Sequence, residues 1–120
     1  MAPAGCEGFT NDAAYETSLA LNSLDVPYIA YRDIMHNNEM MVMRYTGAGD
    51  SGWEVVGSPH FSAGEAFYPS LAMDGSGVPY VAYQDKANGN RATVMRYTMG
   101  SWETVGTAGF SANGIAFTSA

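Results

Sequence analysis

Two stretches, Pro27-Tyr28-Ile29-Ala30-Tyr31-Arg32-Asp33 and Pro79-Tyr80-Val81-Ala82-Tyr83-Gln84-Asp85, are apolar at odd and even positions alike through their middles. A strand that covers a core with one face alternates apolar and polar side chains. The pattern therefore predicts strands buried on both faces, in sheets stacked face against face. Proline at the first position is compatible, because the hydrogen-bond ladder has not yet begun. A short, small-sided segment precedes each stretch, at residues 17–21 and 70–73, and reads as a first strand. Asp74-Gly75-Ser76-Gly77 then forms a turn whose glycines supply positive φ, whereas Asn22-Ser23-Leu24-Asp25 is less turn-like and predicts a loop that tolerates change. Asn88-Gly89 predicts a tight hairpin into a third strand at 92–97, matched by the methionine-rich 40–45, whose methionines read as adaptable packing. Fourth strands follow at 53–56 and 102–105. A turn centred on Met99-Gly100 would set Tyr97 opposite Trp102 and Arg96 opposite Glu103; the same logic joins Arg44 to Glu54, beside Trp53.

The chain says this twice. Ser18-Leu19-Ala20 matches Ser70-Leu71-Ala72, and Val42-Met43-Arg44-Tyr45-Thr46 matches Val94-Met95-Arg96-Tyr97-Thr98, at an offset of about 52; after a shortened turn, Trp53-Glu54 matches Trp102-Glu103 at about 49. A third copy opens at Gly109-Phe110-Ser111-Ala112, echoing His60-Phe61-Ser62-Ala63. A period near 50 residues is the signature of a propeller or solenoid unit. The expected organisation is a disordered leader at 1–8, one unit at 9–59, a second at 60–108, and at 109–120 the first segment of a third that docks on a neighbouring subunit. The fold class expected is all-β, with four antiparallel strands per unit.

The run from Phe61 to Gly106, with its Phe-Ser-Ala-Gly, Pro-Tyr-Val-Ala-Tyr-Gln-Asp, Val-Met-Arg-Tyr and Trp-Glu-Thr-Val-Gly segments, resembles the repeat of bacterial multi-blade β-propellers found in large surface or secreted proteins. The resemblance covers nearly the whole chain after residue 8. It implies a blade fold and a secreted or cell-surface parent. It implies little about activity, because propellers host many functions.

Composition narrows the partners. Hydrophobic residues at 47% and charged residues at 14% argue for a folded chain. A net charge of −7 argues against nucleic acid and against an anionic membrane surface, which both need basic stripes. No apolar run approaches the ~20 residues of a spanning helix. The first residues lack the basic and apolar regions of a signal peptide, so the chain reads as cytosolic or as a piece of a secreted parent. Cys6 is the one cysteine, which predicts neither a disulfide framework nor a zinc site.

Candidate chemistry is sparse. Gly49-Asp50-Ser51-Gly52 is similar to the nucleophile loop of trypsin-like proteases, yet nothing supplies the rest of a triad. Met73-Asp74-Gly75-Ser76-Gly77 has the turn of a sialidase-type Asp-box without its tryptophan. His36 and His60 fall in loops, neither recurs, and both read as solvated. Asp33 and Asp85 recur and are expected to cap the following turn. A calcium site with Asn88 and Asn90 is the weaker reading, since the first copy offers only Asp33, Asn37 and Asn38. Tyr28, Tyr31, Tyr80 and Tyr83 could line a sugar site, but their place in the most buried strand favours packing. Rim loops are where binding residues concentrate, which makes His60, Ser62, Glu65, Ser111 and Asn113 the expected ligand contacts.

These features lead to a non-enzymatic chain without cofactors. Two units cannot close a ring, so the chain is expected to complete one with copies of itself, a trimer of six blades being favoured. The alternative is a glycan-binding module with sites repeated at the blade junctions.

Overall fold

The computed structural model describes residues 14–47 and 52–111. These residues form two four-stranded antiparallel sheets, each a meander in sequence order. Sheet 1 contains β1 (Ala14–Leu21), β2 (Pro27–Asp33), β3 (Glu39–Tyr45) and β4 (Trp53–Val55); sheet 2 contains β5 (Ala66–Met73), β6 (Pro79–Asp85), β7 (Arg91–Thr98) and β8 (Ser101–Thr104). Tyr97 stands opposite Trp102 and Arg96 opposite Glu103, as Tyr45 stands opposite Trp53 and Arg44 opposite Glu54. Each arginine donates from Nε to its glutamate, at 2.5 Å in sheet 1 and 2.6 Å in sheet 2. Both pairs are half exposed, so solvent screens them and they serve mainly to fix register. Met99 and Gly100 both take positive φ, 54° and 86°, which matches strand twist across a two-residue hairpin.

Local structure departs from expectation at three places. The first strands begin earlier than the apolar pattern suggests, because a bulge shifts the register between Tyr15 and Ser18 and again between Phe67 and Ser70. The bulge breaks the period-2 phase, which hides the strand's start from the sequence. The less turn-like loop at Asn22 is built like its counterpart. The Oδ1 atoms of Asn22 and Asp74 each accept two backbone N–H groups at 2.8–3.0 Å, and Asp25 takes the positive φ that Gly77 takes in the other copy. Asn88-Gly89 is not a tight hairpin. Asp85 pairs with Arg91, and the chain between them turns through a 3₁₀ helix, Lys86–Asn88, then through Gly89 and Asn90 at positive φ. Ile34–His36 repeats this in sheet 1.

The sheets stack into one core. Tyr28, Ala30, Met40, Val42 and Val56 of the first unit meet Ala66, Leu71, Val81 and Tyr83 of the second. The prediction of strands buried on both faces holds for β2, which buries Tyr28 and Ala30 on one side and Tyr31 and Asp33 on the other. It fails for β6, where buried and half-buried residues alternate strictly. The difference is positional: β2 lies under sheet 2, whereas the face of β6 carrying Tyr80 and Ala82 has no sheet over it among the described residues.

Polar contacts stitch the stack at its first strands and along its edges. Leu71 N–H donates to Ser18 Oγ at 3.0 Å, and Tyr68 N–H to Glu16 Oε1 at 2.7 Å. Ser62 Oγ accepts from Met40 N–H at 3.1 Å, pinning the inter-sheet connection to the free edge of β3. Ser111 Oγ does the same for Ala92 N–H on β7, and Phe110 N–H donates to Ala92 O. The opening of the expected third segment thus lies along its own chain's sheet 2; its remainder is outside the described residues.

The tightest junction is aromatic. Trp102 stacks on Phe61 with ring centroids 4.1 Å apart and planes 10° from parallel, and its Nε1–H donates to Val56 O at 2.9 Å. Gly57 lies beneath it at φ +73°, and a Cβ there would come within 2.6 Å of Tyr97 and 2.8 Å of Trp102. Trp102→Ala should therefore cost about 3 kcal/mol in chemical denaturation. Trp102→Phe keeps an aromatic ring against Phe61, forfeits the bond to Val56 and the indole cover over Gly57, and should recover part of that loss.

Candidate functional site

Both sheets end their second strand on a buried aspartate, and the two copies satisfy it differently. In sheet 2, Asp85 Oδ2 accepts from Thr93 Oγ1 at 2.7 Å and from Asn88 Nδ2 at 2.9 Å. Thr93 Oγ1 in turn accepts from Gly109 N–H. Asp85 Oδ1 is buried and has no hydrogen-bond partner. In sheet 1 the positions of Thr93, Asn88 and Gly109 are held by Met41, His36 and His60. Here Asp33 Oδ2 faces His36 Nδ1 at 3.1 Å and His60 Nε2 at 2.9 Å, while Oδ1 caps the 3₁₀ turn by accepting from Met35 N–H. The two imidazoles stack at 4.1 Å with planes 22° apart.

His36 is exposed, in keeping with its reading as a solvated loop residue, whereas His60 is half-buried; both nonetheless meet Asp33. They converge on one carboxylate from separate segments, His36 from the turn after β2 and His60 from the inter-sheet connection. No local sequence signal shows this; aligned on the second copy, His36 takes the place of Asn88 and His60 that of Gly109. The capping role expected of the aspartates is present at Asp33 and absent at Asp85. The oxygen set considered for calcium is not gathered: Asn88 turns its amide nitrogen to Asp85, and Asn38 Oδ1 accepts from Arg32.

The other expected ligand contacts have structural work. Ser62 and Ser111 are the edge latches already described, and Glu65 pairs with Lys86 at 3.5 Å and accepts from Asn38. Asn113 lies outside the described residues. Tyr83 and Tyr31 are buried, with hydroxyls donating to Met95 Sδ and Met43 Sδ.

Two surfaces complete the picture. The outward face of sheet 1 carries Leu19, 63% exposed, although its counterpart Leu71 is 6% exposed inside the stack. At the opposite end Gly106 holds φ +75° like Gly57, yet a Cβ there would meet nothing within 4 Å, and Phe110, the counterpart of Phe61, is 53% exposed. On this same end an open groove of about 500 Å³ is lined by Asp74, Tyr80, Arg96 and Glu103 among others; Tyr28 and Arg44 line a smaller counterpart in sheet 1. No family model, curated protein or solved structure matches this chain.

Burial, and then the nearby Asp85 charge, push the Tyr83 phenol far above its ordinary value near 10. The neutral phenol therefore contributes stability that is present below about pH 10 and is lost as pH rises toward the higher folded-state value. Tyr83→Phe should flatten the decline in stability above pH 10, measured by denaturant midpoints across an alkaline series, at the small cost of the bond to Met95.

Proposed function

We propose that this chain is a non-enzymatic β-propeller segment whose activity is assembly, with sheet 2 of one copy packing on sheet 1 of the next to close a ring. The observation that carries this reading is the pair of glycine seats. Gly57 is filled by Tyr97 and Trp102 of the same chain, whereas Gly106, with the same backbone conformation, lies open. The residues equivalent to Tyr97 and Trp102 are Tyr45 and Trp53, on sheet 1, and they pack edge-to-face at 5.6 Å. Stacking a second copy as sheet 2 stacks on sheet 1 sets its Trp53 over Gly106 and Phe110. It also buries its exposed Leu19 where Leu71 is buried now. The surface that each end lacks is one that the other end carries.

Such an interface is heterologous, and it closes when the rotation per sheet divides the circle. Three copies give six sheets, within the common range of propeller sizes, and this is the state we favour. Light scattering should give a mass three times the 12.8 kDa of the chain. Gly106→Ala should dissociate the ring while leaving the two-sheet unit folded but somewhat destabilised, because alanine is strained at φ +75° and its Cβ meets nothing except an incoming tryptophan. Gly57→Ala should instead unfold the unit itself. A monodisperse, folded 12.8 kDa species from the unaltered chain would overturn the proposal.

A second reading, glycan binding, is favoured by the groove of Tyr80, Arg96, Glu103 and Asp74, where an aromatic ring stands among convergent polar groups. Binding on a glycan array that Tyr80→Ala abolishes would support it, and an array without signal would remove it.

A further inference from the structure

We infer that Asp33, His36 and His60 form a binding site for one divalent transition-metal ion of the zinc class. Their ligand atoms, one from each residue, lie within 4.8 Å of one another. The two nitrogens stand 2.9 and 3.1 Å from the shared oxygen Asp33 Oδ2. Around a tetrahedral ion with bonds of about 2.0–2.1 Å, neighbouring ligand atoms are about 3.3 Å apart. The two nitrogen–oxygen separations therefore need widen by only a few tenths of an ångström to admit an ion, with a change of tautomer that moves each N–H to the far side of its ring.

The second sheet serves as an internal control. It keeps the buried aspartate and satisfies it with Thr93 and Asn88, so holding that carboxylate in the fold needs no imidazole. In sheet 1 Met41 and His36 stand at those two positions, and the second side chain on the carboxylate is His60, at the place of Gly109; both partners are thus of ligating type. His60 sits at φ +54°, where the second copy has Gly109 at φ +65°. A side chain at 109 is excluded in any case, since its Cβ would lie 2.8 Å from Asn88 Cβ. The first copy thus holds a side chain in the left-handed region, at a position the second leaves to glycine, and aims it at the carboxylate.

Two imidazoles and one carboxylate suit zinc, nickel, copper or iron, whereas calcium and magnesium take oxygen shells. The ligands are histidine and aspartate, so the argument against zinc from the single cysteine does not reach this site. The His36 side chain is half exposed, giving access from solvent and leaving a fourth position for water. Because Asp33 and His36 belong to the end of β2 and the turn that follows, while His60 belongs to the connection, the ion would clip the inter-sheet connection to sheet 1. All three ligands come from one chain, so the site does not depend on ring closure.

The test is titration of the full chain, carrying Cys6→Ser to remove the thiol, with Zn²⁺ by calorimetry and with Co²⁺ by visible absorption. One ion per chain is expected, with the absorption of four-coordinate Co²⁺, displaced by Zn²⁺ and unaffected by Ca²⁺. His36→Asn and His60→Asn should each weaken binding at least tenfold. The chain has two histidines, so imidazole NMR signals read this site alone and decide the matter if either variant fails to fold. Zn²⁺ must shift both signals in the unaltered histidine pair. Absence of binding, undiminished affinity in the variants, or unshifted imidazoles would overturn the inference.

Discussion

The fold depends on a single kind of junction: one face of a four-stranded sheet laid on the opposite face of its twin. Neither sheet has a core of its own, since each is one layer thick and most of the buried apolar side chains lie where the two stack. Leu71, Val81 and Tyr83 find their cover in Tyr28, Ala30 and Val42. A large aromatic, Trp102, closes the outer end of the junction over a residue that must be glycine. Hydrogen bonds from the Leu71 and Tyr68 N–H groups to Ser18 and Glu16 close the inner end, so the sheets are held at both their first and their last strands.

Much of this was legible in the sequence because it was written twice. The cross-strand pairs Tyr97–Trp102 and Arg96–Glu103 followed from turn chemistry at Met99-Gly100, and their recurrence at Tyr45–Trp53 and Arg44–Glu54 fixed the register of the other copy. The bulges at Glu16 and Tyr68 were hidden, because a bulge erases the alternation by which strands are recognised. The tight hairpin at Asn88-Gly89 misled for a related reason. A left-handed pair does occur there, but shifted by one residue to the end of a 3₁₀ turn.

The Asp33 cluster was illegible for a different reason. Repeats direct attention to what recurs, and His36 and His60 do not recur. Their meaning comes from a difference between copies at equivalent places in three dimensions, around an aspartate that is itself present in both. Ser62 shows the converse. A polar loop residue at a unit boundary looks like a ligand contact, yet Met40 N–H on the edge of β3 needs an acceptor, and the serine supplies it.

The stacked junction also has a consequence for how the molecule responds to dilution. Within the chain, residues 56–66 tether the two sheets, so they see each other at the millimolar effective concentration that short linkers impose, and they stay together however few molecules are present. In the proposed ring the same contacts act again without a tether, at whatever concentration the protein happens to have. One set of interactions thus has two strengths, and the two-sheet unit outlasts the ring on dilution. Covalent continuity, rather than any difference in side chains, then decides which junctions are permanent and which are reversible.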